Sequence, residues 1–235
     1  MQEYLQSLTN EDNDIFKEIE ALREEMISRD QSVDVVDYGA GNPEEKRSEQ
    51  EMHKGVLKQV STRDLCKIGL KNEFAHLIYA LIKQYQPKRV LELGTCCGFS
   101  SIYMSKALGT KGEIHTIEGS PETAKIAQEN FDNAHCMNMR SHVGRFCDVL
   151  PVLLPKIAPL DFAFIDGHHD RDATLEYFEQ IKPFLSKNAL VLFDDISWSE
   201  GMKEAWKTIK EDKDLVSFRD FHKVGLCLMG KEVQG

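Results

Sequence analysis

Residues 90–101 read VLELGTCCGFSS, an apolar run carrying an acid at Glu92 that falls into glycines at Gly94 and Gly98. A strand running through glycines into a helix is the opening of a nucleotide-binding βα turn, with the helix N-terminus facing the ligand. A second stretch, VVDYGAGNP at 35–43, has the same outline. The residues downstream of each decide between them. After the first, Phe99, Ile102, Tyr103, Met104, Ala107 and Leu108 make an apolar helix face that closes at Gly109. After the second, EEKRSEQEMHK has no apolar stripe at helical spacing, so no buried helix stands behind it. The first stretch is read as the cofactor loop. The second is read as an exposed turn in which Gly39 and Gly41 supply positive φ, serving as a plain linker or as a loop over the substrate.

Working outward from the loop, strand and helix patterns alternate, the signature of a parallel sheet covered on both faces. Strands are expected at Arg89 to Leu93, Glu113 to Ile117, Cys136 to Ser141, Asp161 to Ile165 and Ala189 to Phe193. Helices fall near 99–108, 121–132, 145–156, 171–184 and 199–211, and DLVSFRDFHKVGLCLMG reads as an antiparallel hairpin finishing the sheet. Before the loop lie an amphipathic helix near 13–29, a polar segment at 37–55 and a helix near 72–85. The predicted class is thus α/β, a Rossmann-like sheet, mostly parallel with an antiparallel last strand. Residues 1–70 form a helical extension of the same domain, and 71–235 form its body. The helix at 13–29 would cap the site or join two subunits into a homodimer.

Composition narrows the partners. The chain has 235 residues, 41% of them apolar, without a long apolar run, which fits one globular domain off the membrane. A formal charge of -10 disfavours nucleic acid and anionic membrane and leaves a small-molecule acceptor substrate. The start, MQEYLQSLTNEDNDIF, is acidic where an export signal would be basic and then apolar. The six cysteines have neither C-x-x-C nor zinc spacing, and the adjacent Cys96 and Cys97 read as small packing residues. A cytoplasmic protein with reduced thiols is expected.

The glycine spacing separates cofactors. A dinucleotide turn wants G-x-G-x-x-G, whose middle glycine admits a pyrophosphate. Here Gly94-Thr95-Cys96-Cys97-Gly98 has no middle glycine. The next strand ends in Glu118, at the distance where an acid meets ribose hydroxyls. The E-x-G-x-x-x-G run resembles motif I of class I S-adenosylmethionine (SAM) dependent methyltransferases. More narrowly, KNEFAHLIYALIKQYQPKRVLELGTCCGFSSIYMSKAL, LDFAFIDGHHDRD and LVLFDDIS resemble catechol O-methyltransferase and its relatives, and the acid followed by an Asp-Asp pair also resembles sugar and macrolide O-methyltransferases. The resemblance spans roughly Lys71 to Ser197.

That resemblance implies a cofactor site of Glu92, Gly94, Thr95, Cys96, Gly98, Ser100, Glu118 and Asp166, with Gly144, Arg145, Phe146 and Cys147 against the adenine. It implies a metal site at Asp166, Asp194 and Asp195. These acids end two neighbouring strands, and unpaired carboxylates that close would be relieved by a hard cation such as Mg²⁺. The alternative has Asp166 holding cofactor or substrate directly while Asp194 or Asp195 caps the next helix. Where the family carries its base, a lysine three residues after the first metal acid, this chain has His169, and a tryptophan before it is replaced by His168. Histidine is a competent base near neutral pH. The missing aromatic wall leaves sugar or natural-product hydroxyls as acceptors beside catechols. His168 and His169 alternatively sit on a solvent-facing loop or cap a helix. His222 is a further candidate for the acceptor pocket, and Trp198 for its wall or for the first anchor of the next helix.

The expected activity is methyl transfer from SAM to a hydroxyl, with a divalent metal activating the acceptor. The alternatives are a metal-free O- or N-methyltransferase with a histidine base, a nicotinamide-dependent oxidoreductase, and a SAM-binding protein without catalysis.

Overall fold

The structure, a computed structural model, describes residues 1–42, 44–45 and 47–230. It opens with a short α1 (Gln2–Leu5) and a long α2 (Asn10–Arg29). α2 starts three residues before the expected helix because Thr9 and Asp12 form a capping box, each side chain taking the other's backbone N–H. Its buried face, Phe16, Ile19, Arg23 and Met26, packs inside the chain. Arg23 is buried with its donors satisfied by the Cys66 and Leu70 carbonyls at 3.0 and 2.9 Å. The apolar stripe that could have joined two subunits is therefore already covered.

The segment after α2 departs from expectation. β1 (Ser32–Asp37) pairs antiparallel with β2 (Val56–Ser61), and between them lies α3 (Glu49–Lys54), capped by Ser48 and Glu51. Only Met52 of α3 is buried, so a helix this short leaves no periodic stripe to read. Asp37 to Gly41 are half-buried, not exposed. Gly41 has the expected positive φ of 71°; Gly39 does not, and a Cβ there would lie 3.4 Å from the His168 carbonyl oxygen. α4 (Thr62–Ile68) and α5 (Asn72–Tyr85) lead into the main sheet, and the middle of α5 is buried from Leu77 to Ile82.

The sheet is built from β3 (Arg89–Leu93), α6 (Phe99–Leu108), β4 (Glu113–Glu118), α7 (Pro121–Asn133), β5 (Met139–Val143), α8 (Phe146–Ile157), β6 (Leu160–Ile165), α9 (Arg171–Ile181), β7 (Leu185–Phe193), α10 (Glu200–Lys210), β8 (Leu215–Asp220) and β9 (Gly225–Met229). Its order is β5-β4-β3-β6-β7-β9-β8, parallel from β5 to β7 and antiparallel across β9 and β8. The class is the one expected from sequence. Within this sheet three boundaries move by three residues or more. The expected strand at 136–141 begins at Met139, because the Cys136 N–H is taken by the Phe131 carbonyl at the end of α7. β7 begins four residues early, at Leu185, and the helix expected to reach 184 gives way to a 3₁₀ turn at Lys182–Phe184.

Strand period 2 sorts the core onto two faces. Val90, Phe162, Phe164, Leu190 and Leu192 join α2, α5, α6 and α7 on one side. Leu91, Leu93, Ala163, Ile165, Val191 and Phe193 join α8, α9 and α10 on the other. With both faces covered, the central strands read as unbroken apolar runs, and ligands are left the carboxyl edge. Strand order reverses between β3 and β6, which opens a crevice there.

Candidate active site

The loop after β3 is closed tightly on its neighbours. The Gly94 and Thr95 N–H groups donate to the Ile117 carbonyl at 3.0 and 3.3 Å, and Gly98 N–H returns to the Thr95 carbonyl at 2.8 Å. Glu92 is fully buried under this loop and accepts from the hydroxyls of Ser100, Ser101 and Thr116. Burial pushes its carboxyl up to about 7 against those hydrogen bonds. Glu92 and Ser100 were expected at the cofactor; they are supports of the loop. Thr95 is likewise buried with its hydroxyl 2.5 Å from that of Thr116. Gly98 is turned to packing as well, since a Cβ there would lie 2.5 Å from the Phe131 ring.

Glu118 ends β4 beside the loop. Its carboxylate accepts from Cys96 N–H and Ser120 N–H, each at 2.9 Å. Burial raises its pKa, opposed by those backbone donors. Register pairs Glu118 with Val143, so Gly144, Arg145 and Phe146 begin next to it, and Gly144 N–H donates to the Glu118 carbonyl at 2.9 Å. Phe146 lies over Gly167, where a Cβ would come within 2.7 Å of its ring. Arg145 turns outward to Asp148 and to His53, and Cys147 is exposed.

The segment read from sequence as a linker or a loop over the substrate packs against the ends of β4 and β6. Tyr38, from the supposed linker, lies against Gly119, where a Cβ would come 2.7 Å from its ring. Ala40 N–H donates to the His168 carbonyl at 2.7 Å, and Arg47 ties Asp37 and the Gly39 carbonyl together behind it. The available signal is the strand-acid-glycine outline of VVDYGAG itself, which helical periodicity discounts because no long helix comes after it.

The acids come together at the crevice. Asp166 N–H donates to the Leu93 carbonyl at 2.9 Å and Asp194 N–H to the Ile165 carbonyl at 3.0 Å, which brings the ends of β3, β6 and β7 side by side. The His169 ring lies between two of them, Nε2 3.9 Å from Asp166 Oδ1 and Nδ1 3.8 Å from Asp195 Oδ2. His168 does not join them. Its Nδ1 is 2.8 Å from the Tyr177 hydroxyl, and burial lowers its pKa. Both histidines have left-handed backbones, φ 72° and 51°, a conformation rare outside glycine that lets consecutive rings part.

The carboxylates are not unpaired. Lys223, just before β9, places Nζ 2.6 and 2.8 Å from the two Asp194 oxygens and 3.3 Å from Asp195 Oδ1. Burial opposes the charge on Lys223, but Asp194 and Asp195 raise its pKa above the ordinary lysine value. Burial and then Asp194 hold the Asp166 carboxyl well above the usual range, with Lys223 acting against them. Among the described residues no group of three or more His, Cys, Asp or Glu side chains is arranged to hold a metal ion. The donors expected for Mg²⁺ therefore do not fit one as they stand. His222 is exposed, and Trp198 is half exposed and lies outside the buried face of α10, so it does not anchor that helix.

Residues 91–196 match the family described as a methyltransferase domain. The match covers somewhat less than half of the chain and takes in the strands whose ends carry Glu118, Asp166 and Asp194. Among curated proteins it resembles a catechol O-methyltransferase of Niastella koreensis, 35% identical over 47% of this chain and 50% of that one. It also resembles a catechol O-methyltransferase of Mycobacterium tuberculosis, 27% identical over 66% and 68%. The chain thus matches about half the length of the first of these relatives. A solved structure of the O-methyltransferase TomG from Streptomyces achromogenes, in complex with SAM, aligns with a TM-score of 0.62 at 24% identity, covering 72% of this chain and 84% of that one. This last likeness is one of methyltransferase fold. No described helix is long and apolar enough to cross a membrane.

Proposed function

We propose that this chain is a methyltransferase of the class I fold and transfers a methyl group from SAM to a hydroxyl oxygen of a small-molecule acceptor. The observation that carries the reading is the place of Glu118: a carboxylate at the end of β4, packed against the Cys96 and Ser120 amides at the edge of the crevice. Carboxylate oxygens so held keep lone pairs for a ribose diol, and no glycine opens the loop for a pyrophosphate. Gly94, Thr95, Cys96 and Asp166 would flank the methionine part, and Gly144 to Phe146 with Tyr38 the adenine. The acidic cluster beyond attracts a cationic sulfonium.

A sulfonium methyl is already activated, so the chain has to hold the acceptor in line and take its proton. His169 serves as base. Its distances to Asp166 and Asp195 are too long for hydrogen bonds, so the ring nitrogens stay available, while the two carboxylates stabilise the imidazolium that forms. No step runs through a divalent cation. The half-exposed Trp198, three residues after Asp195, offers the acceptor a flat wall in place of the family's tryptophan. The six free cysteines support a cytoplasmic setting.

The test is calorimetry of SAM binding, followed by incubation with catechols, sugars and hydroxylated natural products and mass detection of a methyl gain. Glu118→Ala should weaken SAM by about 2–3 kcal/mol, the scale of charge-assisted hydrogen bonds. Tight NAD binding, or SAM affinity untouched by that substitution, would overturn the reading.

A further inference from the structure

We propose that Lys223 occupies the place that the resemblance gives to a divalent metal, so that the acid cluster is closed by a cation of the chain itself. The inference rests on the methyltransferase reading, which supplies the acceptor that the cluster faces.

Three observations carry it. The ammonium takes both oxygens of Asp194, at 2.6 and 2.8 Å, and reaches Asp195 at 3.3 Å. Asp194 is only 4% exposed at its side chain, so its charge needs a partner inside the protein. Mg²⁺ requires oxygens at 2.0–2.1 Å in an octahedral shell, and an ammonium lying on both Asp194 oxygens repels it and competes for the same carboxylate. Finally, Lys223 is no loose surface lysine. Its carbonyl accepts from Ile196 N–H at 3.0 Å, its own N–H donates to Phe221, and its ammonium stands 5.9 Å from the centre of the Phe74 ring. The backbone that carries the cation is therefore tied to the loop that bears the acids.

In this arrangement Lys223 is a positioning residue. It offsets the charges of Asp194 and Asp195 and holds Asp195 where its second oxygen faces His169 Nδ1 at 3.8 Å. The acceptor proton then goes to the imidazole, and the chain's own cation balances the carboxylates beside it.

The experiment is Mn²⁺ binding to the whole protein, followed by electron paramagnetic resonance, for the wild type, Asp194→Asn, Lys223→Ala, Lys223→Arg and Lys223→Ala/Asp194→Asn. Thermal melts confirm that each is folded. The wild type and Lys223→Arg should show no Mn²⁺ site at the cluster. Lys223→Ala should gain one, with affinity on the order of tenfold or more above wild type, since it frees two carboxylates for a hard cation. The double variant should lose it again. Wild type binding one Mn²⁺ that Asp194→Asn removes would overturn the inference, and so would Lys223→Ala gaining nothing. SAM affinity of the wild type, taken on the same preparation, reports separately on the methyltransferase reading: its loss would sink that reading without deciding who closes the acids.

Discussion

At the residue scale, Gly94 shows how the crevice is made. Its φ is 100°, and a Cβ built on it would lie 1.9 Å from the Asp166 carbonyl oxygen. The obstruction is backbone, which cannot swing aside, so glycine is needed for β3 and β6 to end in contact before any ligand arrives. Sequence reasoning gives Gly94 only as part of a cofactor loop; the fold demands the glycine for a reason of its own. Gly94→Ala should therefore destabilise the fold itself, by at least about 3 kcal/mol from strain and overlap together. Gly41→Ala serves as the comparison: its Cβ would meet side-chain atoms of Glu45 and Arg47 and no backbone, and it should cost about 1–2 kcal/mol. Urea unfolding of both checks this, and equal losses would mean that the Asp166 contact is not what demands the glycine.

At the element scale, α2 is set by its first turn. Asp12 is buried and accepts from the Tyr79 hydroxyl at 2.8 Å and from the Lys83 ammonium at 2.6 and 2.7 Å, which fastens α2 to α5. Burial alone would raise its carboxyl, but the hydrogen bonds from Lys83, Thr9 and Tyr79 win and lower it from 3.8 to about 2. A depressed carboxyl stabilises the fold above its unfolded value, and the contribution is lost as pH falls through the folded one. The window is thus about pH 5 down to about pH 2. With Lys83 39% exposed, the effect is discounted to about 1–2 kcal/mol. Chemical unfolding of the wild type should lose that much more between those pH values than Asp12→Asn does; parallel curves would remove the argument. The T-x-x-D cap is legible in the sequence, yet apolar periodicity places the start at residue 13, because a cap lies outside the stripe it begins. The main strands are legible because burial on both faces makes them unbroken apolar runs. Of the small hairpin only the end of β1 shows, in VVD before the glycines; β2 does not, because it is half-buried and its pairing spans a polar segment.

At the scale of the whole molecule, the site is drawn from parts of the chain far apart in sequence, and that distance decides what can be read. Glu118, Asp166, Asp194, Asp195 and His169 come after strands whose ends the alternation of β and α brings to one edge, so their convergence is foreseeable. Lys223 is not, since only the antiparallel return of β9 beside β7 sets it against Asp194. Nor is Asp37 to Ala40, which β1 delivers from the other end of the chain to His168 and Gly119. If that segment is a wall of the cofactor site and not a tether, it should become more rigid when SAM binds. Ala40 N–H, at 2.7 Å from the His168 carbonyl, is a direct reporter, because it exchanges with solvent only when the segment lifts from the loop that carries His169. Hydrogen exchange should therefore slow at Ala40 by roughly the factor seen in the Gly94 to Gly98 loop, as local opening is suppressed by ligand mass action. Slowing confined to the loop, with Ala40 unchanged at saturating SAM, would return the segment to the role of a linker.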